Sequence, residues 1–224
     1  FRKGGVDNVW GDQRTWLCIN DGAGGFTITD LNINFAGEVA WGDVDNDGDL
    51  DIVHSGQGAQ KPGTILLNDG TGSFTDSAIP LPSSLLGGLA LADFDRDGRL
   101  DILLLNDAEG VLIMHRQSDG SFAKVATGFE VAKSLFGSSL AVDCGDVNGD
   151  GLPDFVFTGL SESATYSETR IRVAVNRGNV QFELRKLETP GLNGASLALG
   201  DYDSDGRDDL AWSGGSGNTA LFGI

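Results

Sequence analysis

Positive charge is what this chain lacks most: 15 Lys and Arg stand against 33 Asp and Glu, a formal net charge of −18. A phosphate backbone needs a basic footprint, so nucleic acid is excluded as a partner, and anionic lipid is disfavoured for the same reason. No run of eighteen apolar residues occurs, so no segment is expected to span a bilayer as a helix. The chain opens on Phe1, with neither a charged n-region nor an apolar h-region, and the expectation is that any secretion signal has been removed or was never included. Only two histidines and two cysteines are present, too few for a zinc framework. Cys18 and Cys144 fall where other repeats carry Leu66, or Trp41, Leu91 and Leu199, and are expected as buried free thiols. His54 and His115 lie in different repeats, with no nucleophile spaced to suggest a triad. No Asn-x-Ser/Thr sequon and no long amphipathic helical pattern occur.

What is abundant is acid, and it is concentrated. Of the 33 acidic side chains, 17 fall inside four nine-residue windows, and clustered carboxylates imply cations. Self-similarity aligns WGDVDNDGDLDIVHSG (41–56), LADFDRDGRLDILLLN (91–106), CGDVNGDGLPDFVFTG (144–159) and LGDYDSDGRDDLAWSG (199–214), with loop-to-loop spacings of 50, 53 and 55 residues. A second landmark recurs between them: CINDGAGGF (18–26), LLNDGTGSF (66–74), MHRQSDGSF (114–122) and AVNRGNVQF (174–182).

One period reads as four strands. GEVAWGD (37–43) and LDIVHS (50–55) flank the acidic loop, and TILLN (64–68) and SFTDSA (73–78) flank a Gly-rich turn, so each period is an antiparallel meander. A small sheet repeated at this period is the signature of a β-propeller blade, because a lone sheet cannot bury both faces until neighbours stack on it. Slim residues, Ala40, Ala90 and Ala198, suit an innermost first strand. The expected fold is all-β: a single propeller domain or fragment over 1–224, with repeats at about 1–36, 37–86, 87–137, 138–194 and 195–224. Three blades are complete and two partial, and the calcium loops lie between strands 1 and 2. Residues 1–10 align with the second half of such a loop, but Phe1 and Lys3 stand at ligand positions, so that copy is degenerate or cut.

Within each loop, oxygen-bearing side chains occupy positions 1, 3, 5 and 9: Asp43, Asp45, Asp47, Asp51; Asp93, Asp95, Asp97, Asp101; Asp146, Asn148, Asp150, Asp154; Asp201, Asp203, Asp205, Asp209. Gly48, Gly98, Gly151 and Gly206 at position 6 allow the turn that would present the position-7 carbonyl of Asp49, Arg99, Leu152 and Arg207. Alternate hard oxygens call for Ca²⁺, about four structural ions, in preference to Mg²⁺, which keeps several waters. An EF-hand is excluded, since position 12 is His54, Leu104, Phe157 or Trp212 where a bidentate Glu is required.

These loops with their following apolar strands resemble the FG-GAP or VCBS-type repeats of integrin α-subunit propellers. Phe136-Gly137 resembles the Phe-Gly landmark of that family, and Phe35-Ala36-Gly37 is a weaker version. The resemblance implies extracellular adhesion, or protein and carbohydrate recognition, on a ring commonly of about seven blades. The repeats here fall short of that ring, so the chain is either a fragment or closes with fewer blades. A partner is expected on the face opposite the acidic loops, where 11–15, 54–63, 158–170, 213–218 and the links near 77–88 and 188–195 vary most. Trp10, Trp16, Trp212 and Tyr166 lie near those loops, either to stack on a partner or to pack between blades. The expected function is a non-enzymatic interaction or adhesion module. The alternatives are a lectin-like sugar binder and a polysaccharide-degrading enzyme, the latter disfavoured because Lys and Arg are scarce near the acidic clusters.

Overall fold

The structure, a computed structural model, describes residues 15–31, 35–55, 57–58, 63–82, 88–106, 108–131, 140–160, 169–189, 193–216 and 219–223. In chain order the first eight strands are β1 (Trp16–Asn20), β2 (Phe26–Asp30), β3 (Phe35–Ala36), β4 (Val39–Gly42), β5 (Asp51–His54), β6 (Gln57–Gly58), β7 (Thr64–Asn68) and β8 (Phe74–Asp76). There follow β9 (Leu89–Ala92), β10 (Asp101–Asn106), β11 (Gly110–Arg116), β12 (Phe122–Ala126), β13 (Val142–Gly145), β14 (Asp154–Leu160), β15 (Thr169–Asn176) and β16 (Phe182–Lys186). The last three are β17 (Asn193–Gly200), β18 (Asp209–Ser216) and β19 (Thr219–Gly223).

All pairings among the described residues are antiparallel. Three four-stranded meanders, β4-β5-β7-β8, β9-β10-β11-β12 and β13-β14-β15-β16, are flanked by the pair β1-β2 and the three-stranded β17-β18-β19. β3 and β6 form a short ribbon beside them. The protein is therefore all-β, built of four-stranded antiparallel sheets consistent with propeller-like blades, and no sheet closes on itself among the described residues. The Phe136-Gly137 landmark, the degenerate copy at 1–10, Trp10, Tyr166 and parts of every variable loop lie outside the described residues.

The apolar runs follow from burial on both faces. In β10 and β11, Ile102, Leu104, Leu112 and Met114 point to the preceding sheet and meet Val44, Val53, Ile65 and Leu81. Leu103, Leu105, Val111 and Ile113 point the other way and meet Phe155, Phe157 and Ala174. A strand alternates faces at every residue, so a central sheet with a neighbour on each side must be apolar continuously, as DILLLN is. The first strands lie nearest one another, β4 against β9, β9 against β13 and β13 against β17. That approach is close: a Cβ on Gly42 would sit 2.6 Å from Leu91 Cδ1. Ala40 and Ala90 pack into the two inter-sheet cores, while Ala198 lies on the exposed face of the last sheet.

Leu103 is fully buried between the second and third four-stranded sheets. Leu103→Ala is expected to cost about 3–4 kcal/mol in urea unfolding with calcium in excess, because the rigid neighbouring sheets limit collapse of the cavity.

The cysteine expectation needs correction at one position. Both thiols are free, but Cys18 is exposed. It sits on β1-β2, a two-stranded sheet on which Trp16, Ile19, Phe26 and Ile28 are exposed as well. Cys144 packs on the core between the second and third meanders, where burial pushes its thiol far up.

Candidate cation loops

Each acidic segment connects the first and second strands of its sheet, as the repeat predicts. The carboxylate at position 1 accepts the amides of positions 5 and 6: Asp47 (3.1 Å) and Gly48 (3.0 Å) on Asp43, Asp97 (3.0 Å) and Gly98 (2.8 Å) on Asp93, Asp205 and Gly206 (both 3.0 Å) on Asp201. In the third loop Asp146 accepts from Gly149 (2.8 Å) and Gly151 (2.6 Å). The side chains at position 3, Asp45, Asp95, Asn148 and Asp203, accept the amide of position 5, and those at position 5, Asp47, Asp97, Asp150 and Asp205, accept that of position 7. Position 4 takes the left-handed conformation even in Asn46, Arg96 and Ser204 (φ 60 to 63°), and the glycine at position 6 follows it. A β-branched residue there would be strained.

Position 9 does something the sequence alone does not reveal. One oxygen of Asp51, Asp101, Asp154 and Asp209 accepts the amide of position 2, at Val44 (2.9 Å), Phe94 (3.2 Å), Val147 (3.0 Å) and Tyr202 (3.1 Å). The other oxygen accepts an amide of the third strand, from Asn68 (2.9 Å), Arg116 (2.8 Å) and Asn176 (2.7 Å) in the three four-stranded sheets. Asp51, Asp101 and Asp154 are buried, so these carboxylates rivet the mouth of each loop to the third strand.

Oxygens of Asp43, Asp45 and Asp51, of Asp93, Asp95 and Asp97, and of Asp201, Asp203 and Asp209 converge to within 4.8 Å of one another. Convergence has an electrostatic consequence. Burial, then the charges of Asp51, Asp47 and Asp43, raise the Asp45 carboxyl above the usual carboxylate range. Asp154 is raised by burial, against the opposing amides of Asn176 and Val147, with Asp150 and Asp146 adding to the rise. Asp101 is raised by burial, against the opposing amide of Arg116 and the His115 ring. All-oxygen donor sets whose negative charges repel one another fit a hard divalent cation.

The Arg99 side chain folds back to pair with Asp97, and Arg207 with Asp205, supplying local counter-charge at position 5 in the second and fourth loops. The loops also touch in series: Asn46 Nδ2 donates to the Gly98 carbonyl (2.7 Å), and Asp146 and Asp208 exchange two bonds, Asp208 N–H to the Asp146 carbonyl and Asp146 N–H to Asp208 Oδ2, both 2.8 Å. Farther down the sheets, Glu38 accepts from Leu89 N–H and Asp143 from Leu199 N–H, each at 2.8 Å.

The 3–4 hairpin turns share the side of the acidic loops, as expected: in the first four-stranded sheet the Asp49 carboxylate lies against Gly70. The Ala23 and Gly25 amides hold the Asp21 carboxyl below the usual range, and the hydroxyls of Thr71 and Ser121 do the same for Asp69 and Asp119. A depressed carboxyl stabilises above its unfolded pKa and loses that contribution as pH falls through its folded value. Below about pH 4 the turn amides of Ala23, Thr71 and Ser121 should therefore lose hydrogen-exchange protection, equally with and without calcium. Unchanged protection there would contradict the assignment.

On the opposite face, Trp212 packs on the third sheet with Ile171 and Ala195. Trp16 is 54% exposed there, whereas Trp41, 52% exposed, stands two residues before Asp43 and packs on Phe74 at the acidic-loop end of its sheet. His54 is buried in β5. His115, unremarkable in the sequence, lies beside Asp95 and Asp101, a pairing that only the strand register reveals.

A family model described as "FG-GAP-like repeat" matches residues 55–104, 93–157 and 146–212. Integrin alpha-4 of Xenopus laevis is 38% identical over 85 residues, which are 35% of this chain and 8% of that protein. An Agrocybe aegerita lectin, solved for its specific recognition of non-reducing terminal N-acetylglucosamine, superposes with a TM-score of 0.56 at 20% identity, over 88% of this chain and 54% of the lectin chain. At that identity the likeness is one of fold.

Proposed function

The chain belongs to the FG-GAP-like repeat family, and from that premise we propose that it is a calcium-stabilised β-propeller module, extracellular or at the cell surface, that binds a protein or glycan partner without catalysing a reaction. The observation that carries this reading is the acidic loop, repeated four times at the same place in successive sheets with the same pattern of amide-held carboxylates. Asp43, Asp45, Asp47 and Asp51, with their counterparts in the other loops, are the side-chain ligands, and the carbonyls of Asp49, Arg99, Leu152 and Arg207 complete the sets. Bound calcium neutralises the converging carboxylates and ties the first strand of each blade to the second. The integrin relative supports the extracellular setting.

The partner site belongs to the face opposite these loops, since one side of the sheets is committed to ion binding and the connections on the other vary in length. The lectin neighbour, together with the exposed Trp16, favours a glycan as the narrower choice. Calorimetric titration of chelator-treated protein tests the ion reading: about four Ca²⁺ per chain are expected to bind, and no uptake would overturn it. A glycan array tests the narrower choice, where binding abolished by Trp16→Ala supports it and a blank array removes it.

A further inference from the structure

The second acidic loop differs from the others in one ligand-bearing residue. His115 of β11 stands directly across the ladder from Asp101, one step beyond the Ile102–Met114 pair. By the same register Leu67 faces Asp51 and Val175 faces Asp154 in the other four-stranded sheets, so only this sheet puts an imidazole at the loop. His115 Nδ1 lies 2.9 Å from Asp101 Oδ1, and Nε2 lies 3.6 Å from Asp95 Oδ2. Asp95, Asp101 and His115 form a convergent group, and Asp95 also belongs to the Asp93, Asp95, Asp97 set.

This geometry has a specific meaning in metal chemistry. An imidazole that binds a metal through one nitrogen usually donates its other N–H to a carboxylate, which fixes tautomer and ring orientation. Asp101 is suited to that supporting role: it is buried, with 1% of its side chain exposed, and is itself held by the Arg116 and Phe94 amides. With Nδ1–H donated to Asp101, the Nε2 lone pair is presented to Asp95. Two donors bound about 2.1 Å from one ion at a wide angle lie about 3.4–3.6 Å apart, matching the separation found. His115 and Asp95 are 21% and 23% exposed, so an ion can reach the gap from solvent.

We propose that the second loop is a mixed nitrogen–oxygen site for a borderline divalent transition cation of the Zn²⁺ and Co²⁺ class, with His115 Nε2 and Asp95 as ligands and Asp101 orienting the imidazole. Calcium takes oxygen ligands, whereas imidazole suits zinc and its neighbours, so this loop departs in selectivity from its three counterparts. The inference shares with the calcium reading only the premise that the loop takes a cation.

The test is titration of the full chain with Co²⁺ in excess calcium, read by visible absorbance, alongside ¹⁵N spectra of the imidazole with and without Zn²⁺. The expected result is one Co²⁺ per chain that calcium does not displace, and a Zn²⁺-dependent shift at Nε2 while Nδ1 stays protonated. His115→Leu, which installs the residue found at position 67, should weaken Co²⁺ by at least the roughly 10–100-fold that loss of even a supporting partner costs such sites. Calcium uptake elsewhere should be retained. Displacement of Co²⁺ by calcium, equal Co²⁺ affinity in His115→Leu, or an imidazole protonated at both nitrogens and indifferent to Zn²⁺ would each overturn the proposal. The last outcome needs no variant to fold. A failed calcium titration alongside an intact Co²⁺ site would remove the calcium reading and leave this one standing.

Discussion

Excess chelator is expected to lower the melting temperature of the calcium-loaded chain by roughly 10–20 °C. A site saturated 100-fold above its dissociation constant contributes about 2.7 kcal/mol, so two of the four loops saturated to that degree already contribute roughly 5 kcal/mol, and each kcal/mol shifts a chain of this size by about 2–4 °C. The direction follows from the loops themselves. Carboxylates gathered within 4.8 Å repel one another without a cation, and their charges add to the burial that raises Asp45 above the usual carboxylate range. Arg99 and Arg207 relieve part of this in the second and fourth loops, and the third carries Asn148 at position 3, so the first, whose position 7 is Asp49, should loosen most. Differential scanning fluorimetry checks the shift, and hydrogen exchange checks where the loosening falls.

Asp154→Ala and Asp150→Ala are expected to separate the scaffold from the ion. Asp154 is buried and accepts the Val147 and Asn176 amides, so alanine strands two donors at about 1–3 kcal/mol each. Relief of the carboxylate's own burial offsets part of that cost, which leaves a loss of about 2–5 kcal/mol. This loss persists in chelator. Asp150 is exposed and accepts only the Leu152 amide among the described hydrogen bonds. Its replacement should weaken calcium binding yet change stability in chelator by about 1 kcal/mol or less. Urea unfolding of both variants in chelator decides the matter, since equal losses would mean that position 9 is no more structural than position 5.

Much of the fold is written locally, which is why it can be read from one sequence. The acidic loop is set by contacts between residues two to seven apart, and the hairpin turns by Asp69 and Asp119 reaching amides two residues on. Alternation over DILLLN likewise states that both faces are covered. What the sequence conceals depends on register or on neighbouring sheets. Asp101 meets His115 because β10 and β11 pair at one offset and no other. Glu38 reaches Leu89, and Asp143 reaches Leu199, across more than fifty residues, with no spacing rule to announce it. The aspartate at position 9 is conspicuous in the repeat as an oxygen donor, but its partner amide lies 17 residues on in the first sheet and 22 in the third, so its riveting role emerges only in the folded chain. Cys18 escapes its predicted burial because β1-β2 leaves its apolar face exposed.

The central claim is that the four acidic loops are ion sites, each tying the first strand of its sheet to the second. Anomalous diffraction from crystals grown in calcium tests it most directly. The account predicts difference peaks in the loops at 43–51, 146–154 and 201–209, each about 2.3–2.6 Å from its aspartate oxygens, with either calcium or a transition cation in the loop at 93–101. Loops that keep their hydrogen-bonded form with no peak in any of them would contradict it.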